Sequence, residues 1–306
     1  MKTQAAAVSP VPAAGEQVQQ AGRVADFVTL TRPRLNLLVL VTTLAGVYLA
    51  APEGVPLPLL LHTLVGTALV AGGAAALNQV WERDTDRLMR RTSTRPLPAG
   101  RLRTADGAWF GVLLAVAGIA ELALAVNALS AVVAALTLAS YVFVYTPMKR
   151  RSSHSTLVGA IPGALPPVIG WAAVTGSMTL PALVLFGIQF FWQMPHFLAI
   201  AWMYRDDYAA AGIPLLPAME PDGRRTGQQA LLYAAALWPV SLMPALVGLA
   251  GAPYSLLATA LGFAFIALAA LFARRRSMVT ARRLFLFSIM YLPLLWGALV
   301  ADRLWP

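Results

Sequence analysis

The sequence contains no cysteine in its 306 residues and only three histidines. The absence of cysteine excludes a disulfide framework, a thiolate metal site and a cysteine nucleophile. A metal bound to this chain must therefore be held by oxygen or imidazole ligands.

Charged residues are also scarce, at 12% of the chain against 58% hydrophobic residues. This composition excludes an ordinary soluble globule. Runs of about 17 to 25 apolar residues cross the hydrocarbon core of a bilayer as helices, and nine such runs are present. The predicted fold is an all-α integral membrane protein with nine transmembrane helices. The third and fourth runs nearly merge in the sequence. The runs are Leu35–Ala51, Leu57–Trp81, Ala108–Asn127, Leu129–Tyr145, Thr156–Thr175, Leu180–Tyr204, Gln229–Leu249, Tyr254–Phe272 and Leu284–Ala301.

The N-terminal segment is rich in small residues and has no apolar core of the kind that signal peptides carry. We predict a disordered tail over residues 1–25, followed by a single polytopic domain over residues 26–306. Since no transit peptide is visible, the bacterial plasma (inner) membrane is the expected location.

The basic residues that give the chain its net charge of +10 are distributed unequally between the two sides of the membrane. Basic residues fall in the N-terminal tail and in the loops after spans two, four, six and eight, and only Arg303 falls opposite. Because Lys and Arg are retained on the cytoplasmic side, the N-terminus should be cytoplasmic and the C-terminus outside. The same distribution argues against a nucleic-acid partner.

Seven of the thirteen acidic residues form two clusters, which follow the cytoplasmic ends of spans two and six. The clusters are separated by about 120 residues, a distance that suggests two related four-helix units with a ninth span appended. On a helix, Asn78, Glu82 and Asp86 share one face, and Asp84 points away from it. In span six, His196 and Asp207 would lie on a second polar stripe, with Asp206 about 100° aside.

Three aligned polar groups suit a divalent cation, and Mg²⁺ prefers one or two carboxylates completed by water and phosphate oxygens. Arginines follow the first cluster, and Lys149 begins another basic run. Arginine binds phosphate with paired N–H groups. Acidic and basic residues at the same end of the predicted bundle therefore indicate a binding site for a metal–diphosphate ligand. The alternative is that these residues form surface salt bridges.

His196 lies inside span six, where a histidine usually faces the interior of the bundle. It could serve either a packing hydrogen bond or a functional contact. Span five contains three prolines, so it should be kinked, either for packing or as a cavity wall.

These residues resemble a known family. Asn78, Glu82 and Asp86, followed by "RTSTRPLP", resemble the first signature of the UbiA-type intramembrane prenyltransferases, in the version found in the haem-farnesylating branch. The blocks "YTPMKRRS", "GALPPVIGWAAVTG" and "FWQMPHFLAIAWMYRDDYAAAGIPLLP" also agree. The resemblance covers nearly the whole chain from about Asp26. Many relatives carry Asp at the position of Glu82, and relatives that act on quinone precursors carry Asp at the position of His196.

The resemblance implies a nine-helix UbiA-type bundle around a central cavity that opens to the cytoplasmic side and to lipid. It implies transfer of the farnesyl group of farnesyl diphosphate to a vinyl group of haem B, with addition of water, to give haem O and diphosphate. A downstream haem A synthase is a possible partner, and membrane lipid surrounds the chain.

Residue roles follow as hypotheses. The predicted Mg²⁺ ligands, direct or through water, are Asn78, Glu82, Asp86, Asp206 and Asp207. The predicted diphosphate ligands are Arg87, Arg91, Arg95, Lys149 and Arg150. The predicted catalytic set is Asn78, Glu82, Asp86, Arg91, Arg95 and His196. Haem contact is the first role considered for His196.

Two alternatives remain at this point. Another UbiA-type enzyme, acting on a quinone precursor or a chlorin, would need the same first motif. A transporter would also carry intramembrane polar residues and broken helices, although here the charges gather at one mouth and not at the midplane.

Overall fold

A computed structural model of the chain describes residues 22–51 and 53–304. Within these ranges all regular structure is helical, and nine helical segments are long and apolar enough to cross a membrane. The predicted number of spans is therefore confirmed for the described part of the chain. Of the predicted N-terminal tail, residues 1–21 lie outside the described residues, and residues 23–25 already belong to the first helix.

The helices are numbered in chain order. They are α1 (Arg23–Leu30), α2 (Pro33–Ala50), α3 (Leu57–Leu88), α4 (Thr104–Ala125), α5 (Ala128–Ala139), α6 (Thr146–Met148), α7 (Ser155–Ala164), α8 (Pro166–Thr175), α9 (Leu180–Met203), α10 (Arg205–Ala210), α11 (Leu216–Met219), α12 (Arg224–Leu246), α13 (Ala252–Arg275) and α14 (Met278–Leu304). A π-helical segment, Ser140–Tyr145, joins α5 to α6.

The spans differ from the predicted runs mainly at their ends. Helix α3 continues past Trp81 to Leu88, so the charged residues after span two lie on the same helix as the apolar run. Spans three and four are separate, because Asn127 caps α5 by accepting a hydrogen bond from the Ser130 amide at 2.9 Å.

Span five is broken into α7 and α8 at Leu165, as its prolines predict. Pro166 and Pro167 start the second helix, where a missing N–H costs no helical hydrogen bond. Gly46 on α2 lies against the carbonyl oxygen of Pro167, and Gly170 on α8 lies against that of Thr43. A side chain on either glycine would collide with backbone, so these two positions permit close helix packing.

The packing agrees with two four-helix units. Span two packs against span three in the first unit, and span six packs against span seven in the second. The α2–α8 crossing links the two units, and α14 packs on α13 and α9. Helix α1 lies beside α3 and α4, where Arg101 binds the buried Asp26 carboxylate at 3.0 Å.

Candidate active site

A cavity of about 420 Å³ lies inside the bundle. Apolar residues of α2, α3, α8 and α9 form most of its wall. Its two charged residues, Arg32 and Lys149, lie at one end of the bundle. We call this the basic end; it carries α1 and the loops over residues 89–103, 149–154 and 204–223. Leu35 and Phe197 line the cavity and are also 55% and 38% exposed, so the cavity opens sideways between α2 and α9.

The predicted stripe on α3 is present. Asn78, Glu82 and Asp86 are all buried, at 1%, 6% and 1% exposure. Asp84 lies off this face, and its exposed carboxylate pairs with Arg83 at 2.7 Å. A helix places residues four apart on one side, and here that side is turned into the bundle.

Each member of the stripe has a polar partner from a distant part of the chain. Lys149 donates to Glu82 at 2.9 Å, and Arg95 donates to Asp86 at 2.7 Å. Asn78 donates to the Thr146 hydroxyl at 3.0 Å. Burying the carboxylates without these partners would carry a large free-energy cost.

The loop after α3 is folded back onto the stripe. The Thr92 hydroxyl donates to the Asp86 carbonyl at 2.7 Å and fixes the turn that brings Arg95 back to Asp86. Arg91 donates to the Tyr208 hydroxyl at 2.5 Å. Its guanidinium also lies 4.9 Å from the ring centroids of both Tyr204 and Tyr208.

The π-helical segment in span four shapes the cavity wall. Tyr141 and Tyr145 line the cavity, and their rings stack with centroids 5.4 Å apart. The Thr146 hydroxyl donates to the Tyr141 carbonyl at 2.8 Å, which satisfies a backbone acceptor where the helix widens. Such π segments occur frequently at functional sites, and this one places two phenols in the cavity wall.

Arg32 is a site residue that the sequence analysis assigned only to membrane sidedness. It precedes Pro33 at the start of α2 and adopts the left-handed conformation, with φ of 48°. Its side chain lines the cavity beside Asn36. Its Nε is buried and has no hydrogen-bond partner among the described residues. A strained backbone that directs an unpaired guanidinium group into a cavity suggests an anionic ligand.

The charges at the cavity mouth do not balance. Arg95 and Lys149 pair with the buried carboxylates of Asp86 and Glu82, whereas Arg32, which lines the cavity, and Arg91, which contacts Tyr208, have no carboxylate partner among the described residues. Four positive charges minus two negative charges leave an excess of two. Burial together with nearby Arg32 lowers the pKa of Arg95, against the opposing effect of Asp86. Burial by itself would lower the pKa of Lys149, but Tyr145 and Glu82 outweigh it and the pKa is raised. The lysine therefore stays protonated, and the mouth attracts anions.

Four of the five predicted diphosphate ligands, Arg87, Arg91, Arg95 and Arg150, are not among the residues that line this cavity, and only Lys149 is. Arg87 is exposed and donates to the Pro98 carbonyl at 3.1 Å, so it stabilises the loop. Arg150 is exposed on the turn after Lys149. Lys149 lines the cavity although the next residue, Arg150, is exposed, so neighbouring basic residues lie in different surroundings.

The predicted second polar stripe does not form on one continuous helix. Helix α9 ends at Met203, and Tyr204 turns the chain into the short helix α10. This break leaves Asp206 exposed and turns Tyr208 inward, against Met89. Within residues 22–51 and 53–304, no three His, Asp or Glu side chains come close enough to hold a metal together. The five predicted metal ligands therefore do not form one cluster.

His196 lies on the flank of α9 that faces α14. Its Nδ1 is 2.7 Å from the Ser288 hydroxyl, and its ring stacks on Trp192 with a centroid distance of 4.9 Å. It is not among the cavity-lining residues, although its neighbours Gln193 and Phe197 are. The structure thus places His196 beside the lateral opening and not within the cavity.

Comparison with known proteins agrees with this architecture. The sequence profile of the UbiA prenyltransferase family matches residues 39–297. The chain belongs to the UbiA prenyltransferase family. A relative from Solibacter usitatus, named protohaem IX farnesyltransferase, is 50% identical over 287 residues, which cover 91% of this chain and 98% of the relative.

Solved structures of UbiA-type proteins share the fold. Digeranylgeranylglyceryl phosphate synthase superimposes with a TM-score of 0.79 at 16% identity, covering 92% of this chain and 98% of that one. A UbiA homologue from Archaeoglobus fulgidus, solved with GPP and Mg²⁺, gives a TM-score of 0.64 at 16% identity over 90% and 99% of the two chains. The nine-span bundle is therefore a UbiA-type prenyltransferase fold, and the chain is a multi-pass membrane protein.

Proposed function

We propose that this chain is a Mg²⁺-dependent transferase that moves the farnesyl group of farnesyl diphosphate to a vinyl group of haem B, giving haem O and diphosphate. The observation that carries the proposal is one apolar cavity with an excess of cationic side chains at its mouth. The cavity accepts an isoprenoid tail, and the mouth accepts its diphosphate. The acceptor is inferred from the half-identical Solibacter usitatus relative.

The residues present fit Mg²⁺. Glu82 and Asp86 lie one helical turn apart on the same buried face, and Mg²⁺ is commonly held by two carboxylates together with substrate phosphates. When bound, the ion would stabilise the negative charge of the departing diphosphate. Asn78 would orient the site through Thr146. Asp206, which is exposed on α10, would have to act through water or through a shift of α10.

Cleavage of an allylic diphosphate puts negative charge on the leaving group and positive charge on the farnesyl carbon. Arg32 and Lys149 would stabilise the first charge because both line the cavity, and Arg95 would act next to them through its contact with Asp86. Cations placed where charge develops stabilise the transition state more than the ground state. Arg91 holds Tyr208 in place, and Tyr208 contributes to the cavity wall.

The farnesyl cation must be kept from water until the vinyl carbon attacks. Tyr141 and Tyr145 line the cavity as a stacked pair, and aromatic rings attract cations. After the C–O bond has broken and diphosphate has left, the terminal vinyl carbon attacks the farnesyl cation and forms the new C–C bond. Water then adds to the benzylic-type cation left on the porphyrin side and loses a proton.

The proposed function is tested with purified protein in lipid nanodiscs. We expect farnesyl diphosphate, haem B and Mg²⁺ to give a product whose mass equals haem B plus a farnesyl group plus hydroxyl. Conversion of a hydroxybenzoate or a chlorin in parallel reactions, with haem B left unchanged, would reject the haem assignment. Absence of any diphosphate release would reject the transferase.

Arg32→Gln is expected to raise the KM for farnesyl diphosphate about tenfold, because it removes one charge-assisted contact of the kind worth about 1.5 to 3 kcal/mol. Steady-state kinetics in nanodiscs would measure it. Arg34→Gln is the matched control, since Arg34 is exposed two residues away. An unchanged KM in Arg32→Gln would remove Arg32 from the site.

We further propose that the basic end faces the bacterial cytoplasm, since the basic residues concentrate there. The chain has no cysteine, so one introduced cysteine can report its side without background. A membrane-impermeant maleimide should label Ser177→Cys in intact spheroplasts and Ala99→Cys only after lysis. Both residues are exposed, at opposite ends of the bundle. The reverse pattern would invert the topology.

A further inference from the structure

We infer that the acceptor haem is held at the lateral opening of the cavity, with its iron bound to Nε2 of His196, and that Ser288 sets the imidazole tautomer which makes this possible. The inference rests on the proposed function, because that function supplies the haem.

The hydrogen bonds around Ser288 determine which ring nitrogen carries the proton. The Ser288 hydroxyl lies 2.6 Å from the Phe285 carbonyl, which can only accept, so the hydroxyl proton is donated there. A hydroxyl has a single proton to donate. At 2.7 Å from His196 Nδ1, the same oxygen must therefore accept. Nδ1 then carries the hydrogen, and Nε2 keeps a free lone pair.

The imidazole is also fixed in orientation. Trp192 stacks against its face with an interplanar angle of 26°, and Phe285 lies on it with a centroid distance of 5.1 Å. The Trp192 indole donates to the carbonyl of Ser288 at 2.8 Å, so both contacts are tied to the same turn of α14. Metal-binding histidines usually have the second nitrogen held in this way, which fixes the tautomer and the ring plane.

The free nitrogen lies where a flat lipid-soluble ligand can reach it. No hydrogen bond to Nε2 is found within the described part of the chain, and the residue is only partly buried. The ring edge of His196 contacts Phe197, with a centroid distance of 5.5 Å. Phe197 is itself a cavity-lining residue exposed at the opening. A porphyrin bound to His196 would therefore border both lipid and the prenyl cavity.

Imidazole is a common axial ligand of haem iron, and the arrangement predicts that binding depends on the metal. In nanodiscs, wild-type protein should bind ferric haem B about tenfold more tightly than metal-free protoporphyrin IX, with the Soret and EPR signature of imidazole ligation. His196→Ala should lose that signature and that preference, and added imidazole should restore the signature. His62→Ala is the matched control, since His62 is another membrane histidine, paired with Glu121.

Ser288→Ala should weaken haem binding about tenfold, within the range expected on loss of a hydrogen bond that orients a metal ligand, and Ser288→Thr should restore it. Farnesyl diphosphate binding should remain unchanged in these variants, which checks that they fold. Retention of the wild-type Soret and EPR signature in His196→Ala would overturn the inference. If wild type also fails to make haem O, the proposed function fails as well; if haem O forms, only the inference fails.

Discussion

Asp86→Asn is expected to lower the rate of haem O formation by about a hundredfold or more. The substitution removes one of the two buried carboxylates proposed to hold Mg²⁺ and leaves the partly buried Arg95 without the negative charge that lies 2.7 Å away. Loss of one group that stabilises developing charge typically costs about 10² to 10³ in rate. Haem O should be measured by mass spectrometry over a Mg²⁺ titration, where higher Mg²⁺ should recover part of the activity.

Asp84→Asn is the matched control for this prediction. Asp84 lies two residues away on the same helix, but it points outward and pairs with Arg83. Its substitution should leave the rate within about twofold of wild type, as exposed ion pairs contribute little. Equal losses in both variants would mean that the acidic run acts through overall charge and not through a metal site.

Lys149→Gln has the second largest expected effect, a loss of about a hundredfold in kcat/KM for farnesyl diphosphate. Lys149 supplies a protonated ammonium to the cavity mouth and contacts Glu82 at 2.9 Å. A cation at the leaving group stabilises the transition state of C–O cleavage. Arg151→Gln, an exposed position two residues later, should have kinetics close to wild type.

A double variant separates two explanations of this loss. If Lys149 served only to neutralise the buried Glu82, the combination Glu82→Gln with Lys149→Gln would recover activity, since neither charge would be left unpaired. If Lys149 binds diphosphate and Glu82 binds Mg²⁺, the double variant should be at least as slow as the slower single variant. Recovery to near wild-type rates would reject the diphosphate role.

The face of α3 was predictable because it depends on one helix alone. The spacing of Asn78, Glu82 and Asp86 fixes their common direction, and Asp84 is excluded by the same geometry. The apolar runs likewise predicted nine spans, because the bilayer sets the length of a membrane helix. The helix ends shifted, since charged residues such as those after Trp81 can continue a helix beyond the hydrocarbon core.

The predictions failed where they assumed that a helix continues. The stripe from His196 to Asp207 required an unbroken α9, but Tyr204 adopts a non-helical conformation and Tyr208 takes the inward position. The apolar contacts of Met89 with the loop over residues 204–216 hold this arrangement. No pattern in "WMYRDDY" distinguishes the two outcomes. The only available signal was the aromatic pair Tyr204 and Tyr208, spaced by four.

The membrane class, the nine spans of the described residues and the common face of Asn78, Glu82 and Asp86 all followed from the amino-acid sequence, because each depends on the period and length of a single helix. The cations that meet this face were decided by the packing of separate helices. Lys149 contacts Glu82 across 67 positions of sequence. Arg32 lines the cavity from the start of α2, where its own backbone is left-handed. Such contacts depend on how separate helices pack, and the spacing of residues along one helix carries no information about that packing.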